Sequence, residues 1–193
     1  MKHVLLTALV ASLAFSGELK SLKIGEEVPE FTLKNYDGKE YSLQTITKEN
    51  KLTAVMFIAT QCPVSNAYND RMVKLYEAYA AKGVAFVGIN SNKQEPVAEI
   101  AEHAKDHGFK FPVLKDDRNK TADAYNAQVT PEIFVVDQQG KLLYHGRIDD
   151  SRNEAKVESR DLAITLDALL AGKEPPRTET KAFGCTIKRV NAE

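Results

Sequence analysis

In the stretch Phe57-Ile58-Ala59-Thr60-Gln61-Cys62-Pro63-Val64-Ser65 an apolar strand runs straight into a helix. Thr53 to Ala59 (TAVMFIA) is a nearly continuous apolar run, as suits a central strand buried on both faces. Beyond it Val64, Tyr68, Met72, Leu75, Tyr76 and Tyr79 recur at helical spacing, and Gly83 supplies a stop, so one long helix is predicted. Pro63 fits the first helical position, where a missing N–H costs nothing, and this makes Cys62 the N-cap. There its sulfur would face free backbone N–H groups and the positive helix end, which favour thiolate, the nucleophilic form. Cys62-Pro63-Val64-Ser65 is a C-x-x-C frame with serine in the second place. Ser65 can donate a hydrogen bond to a thiolate at Cys62, but it cannot resolve a mixed disulfide. The plainer reading makes Cys62 a small buried hydrophobe. Its place at the carboxyl end of a parallel strand, where open α/β sheets put their sites, favours chemistry.

Upstream, Phe31 to Lys34 and Glu40 to Leu43 flank Asn35-Tyr36-Asp37-Gly38, which reads as a hairpin. Downstream, Val84 to Asn90 reads as a strand, and a helix starts near Pro96 with Val97, Ile100, Ala101 and Ala104 on one face and Gly108 as its stop. Phe111 to Leu114 is a short strand and Lys120 to Ala127 a short helix. Glu132 to Asp137 and Lys141 to His145, joined by Gln138-Gln139-Gly140, form a second hairpin, and Asp161 to Leu170 is a helix closed by Gly172. Strands alternating with helices imply an α/β fold: a largely parallel sheet covered on both faces, with a hairpin attached. The segment from Lys173 to Glu193 carries Pro175, Pro176 and Cys185 and shows no clear period.

With 193 residues, 43% apolar and 27% charged, the composition is that of one ordinary globular domain. A formal charge of −1 leaves no basic excess for nucleic acid. Two cysteines exclude a disulfide-dense scaffold and a four-cysteine zinc site. His103 and His107 lie four apart on a helix, but without an HExxH frame they read as a solvated face. At the N-terminus, Met1-Lys2-His3, the apolar run from Val4 to Phe15 and then Ser16-Gly17 follow the order of a secretory signal peptide, with cleavage expected after Ser16. The run is too short to span a bilayer, so export to the periplasm or another extracytoplasmic space is expected, without stable membrane insertion. Disulfides persist there.

The strand–Cys62–helix unit and Val129-Thr130-Pro131-Glu132-Ile133-Phe134-Val135-Val136-Asp137 resemble thioredoxin-fold redoxins over residues 24–172. More narrowly, the N-terminal hairpin, the Tyr144 to Asp150 segment and Gly184-Cys185-Thr186-Ile187-Lys188 resemble the peroxiredoxin-like AhpC/TSA branch of exported bacterial proteins. The resemblance implies a thioredoxin-like fold with a mixed central sheet flanked by helices and a C-terminal tail. It also implies a cis Thr130–Pro131 bond facing Cys62 and a substrate surface made by Thr130, Pro131, Gln61 and Pro63. Where peroxiredoxins carry P-x-x-x-T-x-x-C, this chain has Val55 and Ala59, with Thr60 one residue late; where thioredoxins carry tryptophan and a second cysteine, it has Gln61 and Ser65.

These features imply a thiol-based oxidoreductase acting through Cys62, on a peroxide or a disulfide, with a protein or small-thiol reductant and no metal or organic cofactor. The alternative is a catalytically silent binding module that holds a client thiol or peptide. Cys185 is open to three readings: a resolving cysteine that captures oxidised Cys62, a permanent structural partner, or an unpaired thiol. Arg71 and Arg147 read as surface arginines, although either can lend a cation to Cys62. Asp149, Asp150 and Asp161, interleaved with Arg147, Arg152 and Arg160, read as a solvated loop.

Overall fold

The computed structural model describes residues 21–190. The expected signal peptide, residues 1–16, lies outside them. Strands β1 (Thr32–Asn35) and β2 (Glu40–Ser42) form the N-terminal hairpin. Helix α1 (Leu43–Glu49) follows at once, so Leu43 is helical rather than the end of a strand: the Ser42 hydroxyl accepts the Thr45 N–H and caps it.

Strand β3 (Leu52–Phe57) is buried at every position. Its neighbours are β4 (Val84–Asn90), parallel, and β7 (Glu132–Asp137), antiparallel. With β5 (Val113–Lys115) and β8 (Leu142–Gly146) they complete a seven-stranded sheet in the order β2-β1-β5-β4-β3-β7-β8. Within this sheet parallel pairing is confined to β3, β4 and β5, because both hairpins add antiparallel strands outside them. The sheet is mixed rather than largely parallel.

Alternation along β3 divides the interior in two. Ala54 and Met56 face a core shared with Met72 of α3 (Asn69–Tyr79), Ile100 of α4 (Val97–Asp106) and Leu162 and Leu166 of α6 (Asp161–Leu170). Val55 and Phe57 face the other, built with Leu43 of α1, Ala122 of α5 (Lys120–Ala124), Tyr125, Phe134 and, from the tail, Ile187. Each large side chain removed from water here contributes about 1.5–3 kcal/mol. The strand that carries the cysteine is therefore clamped from both sides, and its carboxyl end is a fixed platform.

Between α2 (Pro63–Asn66) and α3 the expected long helix is broken. Arg71 donates from Nη2 to the Ala67 carbonyl, the acceptor its own backbone N–H would use in an unbroken helix, and the Tyr68 N–H turns to the Ser65 carbonyl three residues back. A side chain inserted into the ladder is a usual cause of such a kink. The tail returns to the body: β9 (Cys185–Thr186) pairs antiparallel with β6 (Val129–Thr130), placing Thr130 opposite Cys185.

Candidate active site

Cys62 is the N-cap of α2, with φ −85° and ψ 114°, and is 3% exposed. Its Sγ accepts the Ser65 backbone N–H at 3.2 Å. Ser65 thus meets the sulfur through its main chain; its buried hydroxyl accepts the Ala59 N–H and ties the end of β3 to the helix start. Since α2 is a single turn, the favourable field at the sulfur comes from these nearest N–H groups rather than from a long helix. Gln61 and Pro63 beside it are exposed.

The Thr130–Pro131 bond is cis, and the Thr130 carbonyl lies 3.4 Å from Cys62 Sγ, within reach of the thiol proton in the reduced protein. Glu132, 4% exposed, fixes the approach to this bend by accepting the Gln128 and Val129 N–H groups at 2.7 and 3.0 Å, while its other oxygen meets His145 Nε2 at 2.7 Å. Cys62 and Cys185 form a disulfide, with Cα atoms 5.9 Å apart across 123 residues of sequence. Of the three readings of Cys185, the unpaired one is thereby removed. The structure brings together Cys62, Ser65, Thr130, Pro131 and Cys185, flanked by Gln61 and Pro63.

Beneath the turn lies a residue that the motif reading missed. Glu95 is fully buried and accepts the Thr60 and Gln61 backbone N–H groups at 2.8 and 3.1 Å and the side-chain amides of Asn90 and Asn92. Burial alone would raise its pKa, but these donors outweigh it and hold the carboxyl below its ordinary value. Only the polar run Asn90-Ser91-Asn92 at the end of an apolar strand hints at it in sequence. Glu99 takes the next layer, accepting from Thr60 Oγ1 and from Gln61 Nε2. The Thr60 hydroxyl is thus turned to Glu99.

His103 is half-buried rather than solvated, bonded to Asn66 and Asn69 at 3.1 and 3.2 Å; burial first, and then the neighbouring His107, lower its pKa. Among the described residues no group of three or more His, Cys, Asp or Glu is placed to hold a metal ion.

Two surface expectations are corrected. Arg71 is 4% exposed, paired with Asp149 at 2.6 Å, bonded to the Ser151, Arg152 and Ala67 carbonyls and stacked over the Tyr68 ring at 3.6 Å. Asp149 also accepts from Tyr68 Oη. Asp161 is buried as well, held by Arg147 at 2.7 Å and by Ser159. Interleaved charges that look solvated along the chain neutralise one another in space, and pairing permits their burial. Both arginines are committed to these aspartates.

A buried strand leading into a helix-capping cysteine, with a cis-proline bend across from it, defines a thioredoxin-like thiol site. The chain belongs to the AhpC/TSA family, whose model matches residues 24–145. It is similar to the thiol-disulfide oxidoreductase ResA of Geobacillus thermodenitrificans (strain NG80-2), 26% identical over 148 residues that cover 74% of this chain and 83% of the relative. Among solved structures, the hypothetical protein SMc02350 from Sinorhizobium meliloti 1021 superposes with a TM-score of 0.83 at 33% identity, covering 90% of this chain and 98% of that one. An uncharacterized conserved protein from Geobacillus kaustophilus gives 0.83 and 33%, over 89% and 95%.

Proposed function

We propose that this protein is a thiol–disulfide oxidoreductase that cycles between a Cys62/Cys185 dithiol and the Cys62–Cys185 disulfide. The observation that carries the reading is the disulfide itself, joining a helix-capping cysteine to a tail cysteine beside a cis-proline bend. In the reduced protein Cys62 is the attacking thiolate, favoured by the Ser65 N–H. It displaces one sulfur of a substrate disulfide, and Cys185 then attacks the Cys62 sulfur, releasing the second substrate thiol and closing the intramolecular bond. A dithiol reductant reopens it. The exposed Gln61 and Pro63 form the surface that the substrate meets, while Thr130 and Pro131, buried and with Thr130 paired to β9, back the sulfur from the other side. The name borne by the ResA relative supports exchange with disulfides.

Peroxide reduction is the weaker use of the same thiol. The Thr60 hydroxyl is bonded to Glu99, and Arg71 and Arg147 are held by Asp149 and Asp161, so none of them is free to polarise a peroxide bound at Cys62. Export to an extracytoplasmic space remains part of the reading, supported by the N-terminal sequence pattern and by a disulfide that oxidising compartments preserve. No helix among the described residues is long and apolar enough to cross a membrane.

Turnover tests the reading. Catalytic amounts of the protein accelerate reduction of a disulfide substrate by a dithiol, and Cys62→Ser abolishes the acceleration. A wild-type rate equal to the uncatalysed rate contradicts it.

A further inference from the structure

The tail does more than deliver Cys185. The residues on both sides of the cysteine are held by bonds that do not involve the sulfur. After it, the Ile187 N–H donates to the Gln128 carbonyl at 3.0 Å, and its side chain, 3% exposed, is part of the second core. The Lys188 N–H donates to Asn92 Oδ1 at 2.7 Å, and the Lys188 carbonyl accepts the Lys93 N–H at 2.9 Å. Arg189 Nε donates to Asp123 at 2.7 Å, and the Val190 N–H donates to Asn119 Oδ1 at 2.7 Å. Before the cysteine, the Thr180 and His145 N–H groups tie the tail to β8, Thr180 Oγ1 bonds Tyr144 Oη at 2.7 Å, and the Phe183 ring stacks edge-on against Tyr68. None of these contacts uses the disulfide sulfurs.

Held this way, β9 occupies the backbone edge of Val129 and Thr130 beside the cis-proline, with Cys185 in register with Thr130. The fit leaves nothing over: a Cβ added at Gly184 would overlap the Thr130 carbonyl and lie 3.3 Å from the Pro131 nitrogen. A protein segment presenting its own cysteine to Cys62 as an added strand would need this same edge.

Resting on the thiol–disulfide reading above, we propose that β9 stays docked in both redox states and confines the oxidising substrate of Cys62 to low-molecular-weight disulfides, excluding extended polypeptide clients. With β9 docked, the approach left to a small disulfide R–S–S–R is past the exposed Gln61 and Pro63 that flank the buried Cys62. The Cys62 thiolate forms Cys62–S–S–R and expels one R–S⁻. Cys185, losing its proton to solvent, attacks the Cys62 sulfur and expels the second. Both leaving thiolates take up protons, so two cysteine thiols are oxidised and one small disulfide becomes two thiols. Cys185 is already in place, and closure needs no rearrangement of the tail.

The test uses the reduced full chain with two probes that share a leaving group: bis(2-hydroxyethyl) disulfide, and a short extended peptide carrying a 2-hydroxyethyl mixed disulfide on its cysteine. Closure of Cys62–Cys185 is followed by quenched alkylation. The small probe is expected to react about 30-fold faster or more, the factor carried by the two or three net hydrogen bonds a peptide must displace. Gly184→Ala, or Ile187→Ser should the first variant fold poorly, brings the ratio toward one by letting β9 lift. In parallel, hydrogen exchange at the amides of Ile187, Lys188 and Val190 is expected to differ by less than about threefold between oxidised and reduced protein. Equal rates for the two probes, or a loss of protection beyond about tenfold on reduction, overturns the proposal while leaving thiol–disulfide activity intact. Silence toward both probes overturns the proposal together with the reading it rests on.

Discussion

The two cysteines of the disulfide are placed by different kinds of structure. Cys62 is set by its immediate neighbours: β3 ends, Pro63 starts a helical turn, and the Ser65 N–H closes on the sulfur, all within a few residues. Cys185 is set by residues remote in sequence, among them Thr130, Asn92 and Asn119. One half of the site is local chemistry and the other is tertiary packing. The capping geometry of Cys62 is specified within its own turn, whereas the position of its partner is specified by contacts with residues far away in the chain. The same packing gives the pair a high effective concentration, which favours the closed disulfide.

The largest effect expected from breaking the remote half comes at Asp149, which neutralises Arg71 and bonds Tyr68, the ring against which Phe183 of the tail rests. Asp149→Ala leaves a buried guanidinium without its counter-charge and is expected to cost about 3–5 kcal/mol in denaturant unfolding, with the tail loosened first. Reducing the disulfide is expected to lower stability by about 2–4 kcal/mol, because the link closes a long loop in the unfolded chain. The native fold is expected to persist after reduction, with far-UV circular dichroism unchanged and the near-UV spectrum losing only the contribution of the disulfide itself.

Glu95 links the two halves, since it holds the Thr60–Gln61 turn and also Asn92, to which the tail is bonded. Its folded pKa lies below the ordinary 4.5, so its stabilising contribution is complete above that value and is lost as pH falls through the lower folded value. Glu95→Gln is expected to cost about 1–3 kcal/mol at neutral pH and to flatten the acid limb of the stability profile measured by urea unfolding. The smallest effect is expected at Thr60, whose hydroxyl bonds partly exposed Glu99. Thr60→Val is expected to cost less than about 1 kcal/mol and to leave disulfide turnover near wild type, whereas a collapse of turnover would place Thr60 in the chemistry.

Legibility in the sequence follows the same division. The strand–Cys62–Pro63 turn was readable because one capping position and one proline suffice to specify it. The apolar runs located β3, β4 and β7, and helix α6 falls where its leucine repeat places it. Helix α1 was hidden because Leu43 extends the alternation of β2, and only the bond from the Thr45 N–H to Ser42 marks the change. Strands β6 and β9, two residues each, are too short to carry a period and exist through each other. Arg71 and Glu95 escaped for a related reason: a charge along the chain looks solvated until the partners that neutralise it, Asp149 and the turn amides, are brought in by the fold.

The most direct test of the Cys62–Cys185 couple is a redox titration of the folded protein, read by intact mass after thiol alkylation at each poise. The expected result is a single reversible transition in which both cysteines gain and lose the label together, a mass step of two labels beyond the roughly 2 Da of the two thiol hydrogens, with the fold retained throughout. A disulfide that opens only on unfolding, or label appearing at one cysteine without the other, would contradict a cycling pair and leave the bond as a structural link.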